Sequence, residues 1–155
     1  MRSVRARRRG IIDLRRITIG DWIVAVAGFL ALVSLTLPWF SSSVPRPHDE
    51  WAFTYSPVAS TVVIVFFLVS LFLIIYPALS PDLGLPPLPF ATPLIFFSMG
   101  AILLLMFTYQ LGKYACIACQ GVSRGFGVWV ALISAVVYLL GAVIKWGSRT
   151  TPRTT

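Results

Sequence analysis

The sequence predicts an all-α integral membrane protein, a bundle of four transmembrane helices with both termini in the cytoplasm. Of its 155 residues, 57% are apolar and only 12% are charged, about half the charged share of an ordinary soluble domain. Four long stretches contain no charged residue, and the arginines and lysines cluster on one side of the resulting bundle. So little polar surface excludes a soluble monomer, and so few charges exclude intrinsic disorder.

Each uncharged stretch is long enough to cross a bilayer as a helix. Stretches of 18 to 22 residues rise about 27–33 Å as helices, which matches a hydrocarbon core of roughly 30 Å. A helix also pairs its own backbone polar groups, as the bilayer demands. The predicted helices are 22–40, 58–79, 94–111 and 127–144, so residues 22–144 form the transmembrane domain between basic tails at 1–21 and 145–155.

Two further patterns support these helices. Hydroxyl groups in the second stretch, on Ser60, Thr61 and Ser70, are expected to bond back to a carbonyl one turn earlier. Aromatic side chains sit near both ends of each stretch, as in the aromatic belts at membrane surfaces. These pairs are Trp22 and Trp39, Tyr55 and Tyr76, Phe90 and Tyr109, and Trp129 and Trp146.

The orientation follows from the distribution of positive charge. Four spans place both tails on one side together with the second loop, and that side carries ten arginines and lysines. The opposite side carries three, Arg46, Lys113 and Arg124. Because cytoplasmic segments are enriched in these residues, both termini are predicted to be cytoplasmic.

The N-terminal tail is predicted to bind anionic lipid headgroups. Its seven arginines are Arg2, Arg5, Arg7, Arg8, Arg9, Arg15 and Arg16, and each contributes about 1 kcal/mol near an anionic surface. Docking onto an acidic partner is an alternative, whereas no nucleic-acid-binding motif accompanies the charge. Thr18 and Asp21 are candidate N-caps of the first helix, with no chemistry assigned to them.

The loops suggest few reactive groups. His48, Asp49 and Glu50 are adjacent, but neighbouring side chains diverge, and a zinc site needs three or four converging ligands. We therefore expect no metal and no cofactor. The loop 80–93 is rich in proline and is interpreted as a rigid connector, with a polyproline docking segment as the alternative.

The only two cysteines form a C-x-x-C pair, Cys116 and Cys119, on the predicted extracytoplasmic side. Three interpretations remain open there: a structural disulfide or buried thiols, a redox-active pair, or a metal site shared between protomers. The pair within four helices resembles the quinone-linked thiol oxidases of the DsbB and vitamin K epoxide reductase kind. That resemblance implies a quinone-side pair, although the second, relaying pair of those families is missing.

A broader resemblance covers most of the chain. Gly20-Asp21-Trp22 opens the first helix, Leu37-Pro38-Trp39-Phe40 closes it, and the segment 125–129 opens the last. This pattern is similar to small four-span membrane proteins common in actinobacteria, and it implies a plasma-membrane location without a defined activity.

Small residues indicate where helices pack. Ala27 and Ala31 share one face of the first helix, and Gly127, Ala131 and Ala135 share one face of the fourth. Membrane helices associate closely where such residues recur. We expect both faces to be contact surfaces, within the bundle or with a partner.

The predicted spans contain no ionisable side chain, and such residues usually mark ion or proton pathways. Thr108, Tyr109 and Gln110 are their most polar cluster. We therefore predict no catalytic residue and a non-enzymatic role, as an accessory or scaffold subunit of a larger membrane or envelope complex. The alternatives are thiol–disulfide exchange at the cysteine pair and a homo-oligomeric channel or passive carrier. Partners would be the lipid bilayer and other membrane subunits or further copies of the chain.

Overall fold

The computed structural model describes residues 17–42, 48–83, 92–113 and 122–150. In chain order the elements are α1 (Ile19–Ser34), β1 (Pro38–Ser42), β2 (His48–Trp51), α2 (Ala52–Tyr55), α3 (Pro57–Leu83), α4 (Thr92–Lys113), β3 (Val122–Arg124) and α5 (Phe126–Thr150). The predicted helical character is confirmed. Three helices, α3, α4 and α5, are long and apolar enough to cross a membrane.

The first helix differs from its predicted range of 22–40. It spans 16 residues and ends at Ser34, so it rises about 24 Å. Residues 38–42 continue as strand β1 instead. Leu37-Pro38 explains the change, because a proline cannot donate the helical hydrogen bond and pushes the residue before it toward extended backbone.

The other three helices extend past their predicted ranges. Helix α3 continues to Leu83, so it includes the first residues of the predicted 80–93 connector. The predicted hydroxyl bonds in α3 are confirmed: Ser60, Thr61 and Ser70 donate to the carbonyl oxygens of Ser56, Pro57 and Phe66 at 3.2, 2.9 and 2.6 Å.

A small antiparallel sheet joins two connections between helices, and the predicted all-α class omits it. The strand order is β2-β1-β3, with Phe40 opposite Glu50 on one side and opposite Arg124 on the other. The end of the helices that carries this sheet is called the sheet end below.

Helices α1 and α5 share the most extensive interface, followed by α4 and α5. Helices α1 and α5 are antiparallel: Gly20 in α1 lies against Gly141 and Lys145, whereas Leu37 and Trp39, which follow α1, lie against Gly127 near the start of α5. Two buried apolar clusters fill the space between the helices. One, near the sheet end, includes Trp39, Phe40 and Phe107, and the other includes Val24, Phe96 and Tyr138.

Candidate functional site

A buried ion pair connects the beginning of α1 with the later part of α5. The Lys145 Nζ donates to Asp21 Oδ1, and both side chains are only 6% exposed. About 27 Å of α5 separates Lys145 from Gly127 at the sheet end. The end of the bundle with Asp21 and Lys145 is called the ion-pair end below.

Contacts with Thr18, three residues earlier in the chain, hold the Asp21 carboxylate in place in addition to Lys145. Thr18 is the N-cap of α1, as predicted, whereas Asp21 is not an N-cap but the third residue of the helix (N3). Its backbone N–H and its hydroxyl both donate to Asp21 Oδ2, at 2.9 and 2.7 Å. In return the Asp21 N–H donates to Thr18 Oγ1 at 3.3 Å. This reciprocal capping box satisfies helix donors that would otherwise be unpaired.

Two glycines allow the ion pair to form. A Cβ on Gly20 would lie 2.8 Å from the Gly141 carbonyl oxygen and 2.8 Å from the Lys145 Cβ. Because neither glycine has a side chain, the α1 and α5 backbones approach closely enough for Lys145 to reach Asp21. Close backbone approach at small residues is typical of membrane helix pairs.

The aromatic ring of Phe96 covers the Lys145 ammonium from α4. The Nζ lies 4.6 Å from the ring centroid, within the range of a cation–π interaction. Phe96 also packs edge-to-face on Tyr138, with ring centroids 6.3 Å apart. The charge is therefore compensated by a carboxylate and an aromatic face while it is kept from water.

The same network continues into α3. The Tyr138 hydroxyl and the Ser70 hydroxyl are 2.5 Å apart and share a buried hydrogen bond. Since Ser70 also bonds to the Phe66 carbonyl, the Tyr138 phenol has a fixed partner in the core. The series Asp21, Lys145, Phe96, Tyr138 and Ser70 thus links α1, α5, α4 and α3, and we call it the four-helix network.

A second set of contacts fixes the sheet end. The Trp39 indole N–H donates to the Ser34 carbonyl at 2.8 Å, and its ring packs edge-to-face on Phe107 with centroids 5.8 Å apart. Trp39 is fully buried, so its predicted place in an aromatic belt is wrong. The Gly125 N–H donates to the Trp39 carbonyl at 2.7 Å, which ties the entrance of α5 to β1.

The three side chains of the predicted polar cluster in α4 have different surroundings. Gln110 is buried and donates from Nε2 to Ser56 Oγ at 2.9 Å, so it joins α4 to the residue that precedes α3. Its Oε1 has no hydrogen-bond partner among the described residues. Thr108 bonds to the Leu104 carbonyl, and Tyr109 is 66% exposed. The three side chains therefore do not form one site.

The predicted packing residues are all buried. Ala27, Ala31, Gly127, Ala131 and Ala135 have little or no exposed surface, and Ala31, Ala131 and Ala135 belong to the same apolar cluster. Their helices, α1 and α5, are the pair with the most extensive contact.

Other predicted sites fall elsewhere. Cys116, Cys119 and the seven arginines of the N-terminal tail lie outside the described residues. Residues 48–51 form strand β2. In the described parts of the chain, no three histidine, cysteine, aspartate or glutamate residues are placed to hold a metal ion.

Sequence reasoning missed the ion pair, although a signal for it existed. Asp21 and Lys145 are the ionisable residues directly outside the first and last uncharged stretches. Up-and-down packing of four helices brings the start of the first and the end of the fourth to the same end. Opposite charges at these two positions therefore predict an ion pair. Assigning both residues to solvated tails overlooks it.

The chain was also compared with known proteins. No protein-family model, curated protein or solved structure matches it significantly. Its function must therefore be argued from the geometry.

Proposed function

We propose that the chain is a four-span plasma-membrane protein with cytoplasmic termini, acting as a non-enzymatic accessory or scaffold subunit of a larger membrane complex. The observation that carries this proposal is the sheet, which is fixed to the helices and offers a firm surface beyond them. The four-helix network and the excess of arginines near the termini support the membrane arrangement.

The short length of α1 is compatible with a span. Its capping box and Asp21 lie at the ion-pair end, and its other end passes through residues 35–37 into β1 at the sheet end. The α1 helix is about 24 Å long, and with this turn it runs alongside the roughly 27 Å of α5 between Gly127 and Lys145. A modest mismatch with the hydrocarbon thickness is accommodated by local thinning of the bilayer.

The sheet is held rigidly to the helix pair α1–α5. A Cβ on Gly125 would overlap the Pro38 carbonyl oxygen, so β1 and the start of α5 touch through their backbones. The buried side chains of Trp39 and Phe40 anchor β1 to the helices. A surface with so little freedom loses little conformational entropy when a partner binds.

Aromatic side chains are exposed around this surface. Trp51, Phe53 and Phe126 are 49%, 50% and 69% exposed. Aromatic residues are enriched at protein interfaces and also at the bilayer surface. Their position beside the sheet favours a partner protein that contacts both the membrane surface and the sheet.

Crosslinking in intact membranes tests this function. A photoreactive residue in place of Phe53 is expected to give one defined protein adduct, whereas the same residue in place of Leu105, which is 71% exposed on α4, should react mainly with lipid. Purification in mild detergent should then give a larger assembly of fixed stoichiometry. A lone homo-oligomer, with self-adducts at both positions, would contradict the accessory role and favour a channel or passive carrier.

Thiol–disulfide exchange is the second candidate. Its support is the position of Cys116 and Cys119 between α4 and β3, since Lys113 ends α4 and Val122 begins β3 at the sheet end. A double change to serine should leave the accessory role intact and abolish a redox role. Capture of a mixed disulfide with a substrate protein would favour the redox function instead.

A further inference from the structure

The outer face of α5 is apolar over a defined length. Between Trp129 and Trp146 the exposed side chains are all large and aliphatic: Ile133, Val136, Leu140, Val143 and Ile144. The polar side chains of the same stretch, on Ser134, Tyr138 and Lys145, are buried. Polar groups inside and apolar groups outside are the arrangement of a helix that contacts lipid.

Helix α1 has the same pattern on its outer face. Its exposed side chains are also all apolar: Ile19, Trp22, Val26, Phe29, Leu30 and Val33. Asp21 and Ser34, which are polar, are buried. The next exposed residue after α1 is the polar Thr36, close to the sheet end. The two helices therefore present one continuous apolar surface between the ion-pair end and the sheet end.

Exposed tryptophan and tyrosine side chains mark both limits of this surface. Trp22 and Trp146 are exposed at the ion-pair end, each next in sequence to a member of the ion pair. Tyr109 and Trp129 are exposed at the sheet end. Because tryptophan and tyrosine are enriched where hydrocarbon meets headgroups, the bilayer is the partner that this surface fits, and its hydrocarbon core lies between the two levels.

The distance between these levels is short. Trp129 and Trp146 are 17 residues apart, which is about 26 Å of helix. At the average helix tilt of about 20°, this corresponds to about 24 Å along the membrane normal. The 16 residues of α1 also rise about 24 Å. An average hydrocarbon core of about 30 Å is therefore thicker than the apolar surface of the protein.

The helix pair is fixed at both ends. The ion pair between Asp21 and Lys145 joins α1 to α5 at one end, and the hydrogen bond from Gly125 to Trp39 joins the chain after α1 to the start of α5 at the other. The helices therefore cannot slide along each other to lengthen their apolar surface. The lipid must adapt instead, by local thinning of the bilayer.

We propose that the chain is matched to a thin bilayer, with a hydrocarbon core of about 24–26 Å, so that phospholipids with short acyl chains gather around it. The inference rests on the membrane arrangement in the proposed function and deepens it by naming the lipid surface that the chain fits. It does not depend on a protein partner.

Competition between lipids measures this preference directly. The full-length protein is reconstituted into mixtures of brominated dioleoyl phosphatidylcholine, which quenches tryptophan fluorescence, and either the shorter dimyristoleoyl or the longer dierucoyl lipid. The short lipid is expected to displace the brominated lipid from the protein surface about threefold more effectively than the long lipid. Equal displacement by the two lipids, or stronger displacement by the long one, would overturn the proposal.

Moving one tryptophan should change the preference. Trp129→Leu combined with Phe126→Trp places the tryptophan 20 residues from Trp146, about 30 Å along the helix. Both changed side chains are exposed, so packing is preserved. The preference should shift toward the longer lipid, whereas the control Val136→Leu, in the middle of the surface, should keep the original preference. An unchanged preference in the double variant would overturn the proposal.

The position of the bromines separates this proposal from the spans themselves. Bromines near the headgroup should quench more strongly than bromines at the acyl-chain ends, because Trp22, Trp129 and Trp146 lie at the two bilayer surfaces. The reverse order would overturn both the four spans and the proposed thickness. Stronger quenching near the headgroup without a preference for the short lipid would overturn the thickness alone.

Discussion

Asp21 and Lys145 are 124 residues apart in the chain, yet they form a buried ion pair that joins α1 to α5. The pair lies on one side of the uncharged core, and the sheet lies on the other. It closes the bundle by joining its first helix to its last. Phe96 then extends the contact to α4.

Substitutions at Asp21 and Lys145 should have strongly coupled effects on the free energy of unfolding. Asp21→Asn or Lys145→Met alone leaves a buried charge without its partner, and each should lower the free energy of unfolding by about 3–5 kcal/mol. The double variant removes both charges and should lose clearly less than the sum of the singles. Unfolding in mixed detergent micelles, followed by circular dichroism, measures the cycle. Additive losses would contradict a direct pair.

The close approach of α1 and α5 predicts opposite effects at two glycines. Gly20→Ala places a methyl group against the Gly141 carbonyl and should destabilise the protein by about 1–3 kcal/mol. Gly112→Ala meets open space and should be neutral or stabilising by up to about 1 kcal/mol, because alanine favours helix. Thermal unfolding of both variants in the same detergent tests this, and equal effects would argue against the tight interface.

The face of α5 that carries Ala131 should tolerate no added bulk. Ala131 is completely buried, whereas Val136 in the same helix is 44% exposed. Ala131→Leu should cost about 1–3 kcal/mol or more through overpacking, while Val136→Leu should change stability little. The measurement is the detergent unfolding midpoint, and an unchanged midpoint for Ala131→Leu would show that this face is not a packed interface.

The hydrogen bond between Tyr138 and Ser70 should contribute modestly to the free energy of unfolding. Tyr138→Phe keeps the ring packed on Phe96 and removes only the hydroxyl, so a loss of about 0.6 kcal/mol is expected, the average for such bonds between membrane helices. A double-mutant cycle with Ser70→Ala isolates the bond. A coupling energy near zero would indicate that the two hydroxyls do not depend on each other.

The sequence predicts the long helices well because their signal is local. A stretch of 18 or more uncharged, mostly apolar residues specifies a buried or membrane helix almost without regard to the rest of the chain. The hydroxyls of Ser60, Thr61 and Ser70 likewise find partners one turn away, and Thr18 caps a helix that begins beside it. Such features need only the neighbouring residues to be predicted.

The sheet could not be predicted in the same way. Strands β1 and β3 are separated by about eighty residues, and each is too short to show a clear alternating pattern. Trp39 illustrates the difficulty: its position beyond an apolar helix suits an interface belt, but Phe107 and the Ser34 carbonyl enclose it. The pairing is decided by how α1 and α5 pack, which becomes clear only in three dimensions.

The ion pair is harder to predict from the sequence than the long helices and easier to predict than the sheet. Charge alone assigned Lys145 to a solvated tail, and capping alone accounted for Asp21. Only the combination of an antiparallel α1–α5 pair with Gly20 and Gly141 at the contact explains why both side chains are buried. The relevant information is present in the sequence, but it is distributed over 124 positions.

Membrane topology tests the central claim, four spans with the ion-pair end cytoplasmic, most directly. Single cysteines replace Ser3, Thr36, Ser123 or Ser148 in a variant lacking Cys116 and Cys119, and intact cells are treated with a membrane-impermeant maleimide. The account predicts labelling at Thr36 and Ser123, and labelling at Ser3 and Ser148 only after the membrane is permeabilised. Labelling of Ser3 and Thr36 from the same side would show that α1 does not cross the bilayer and would contradict the four-span structure.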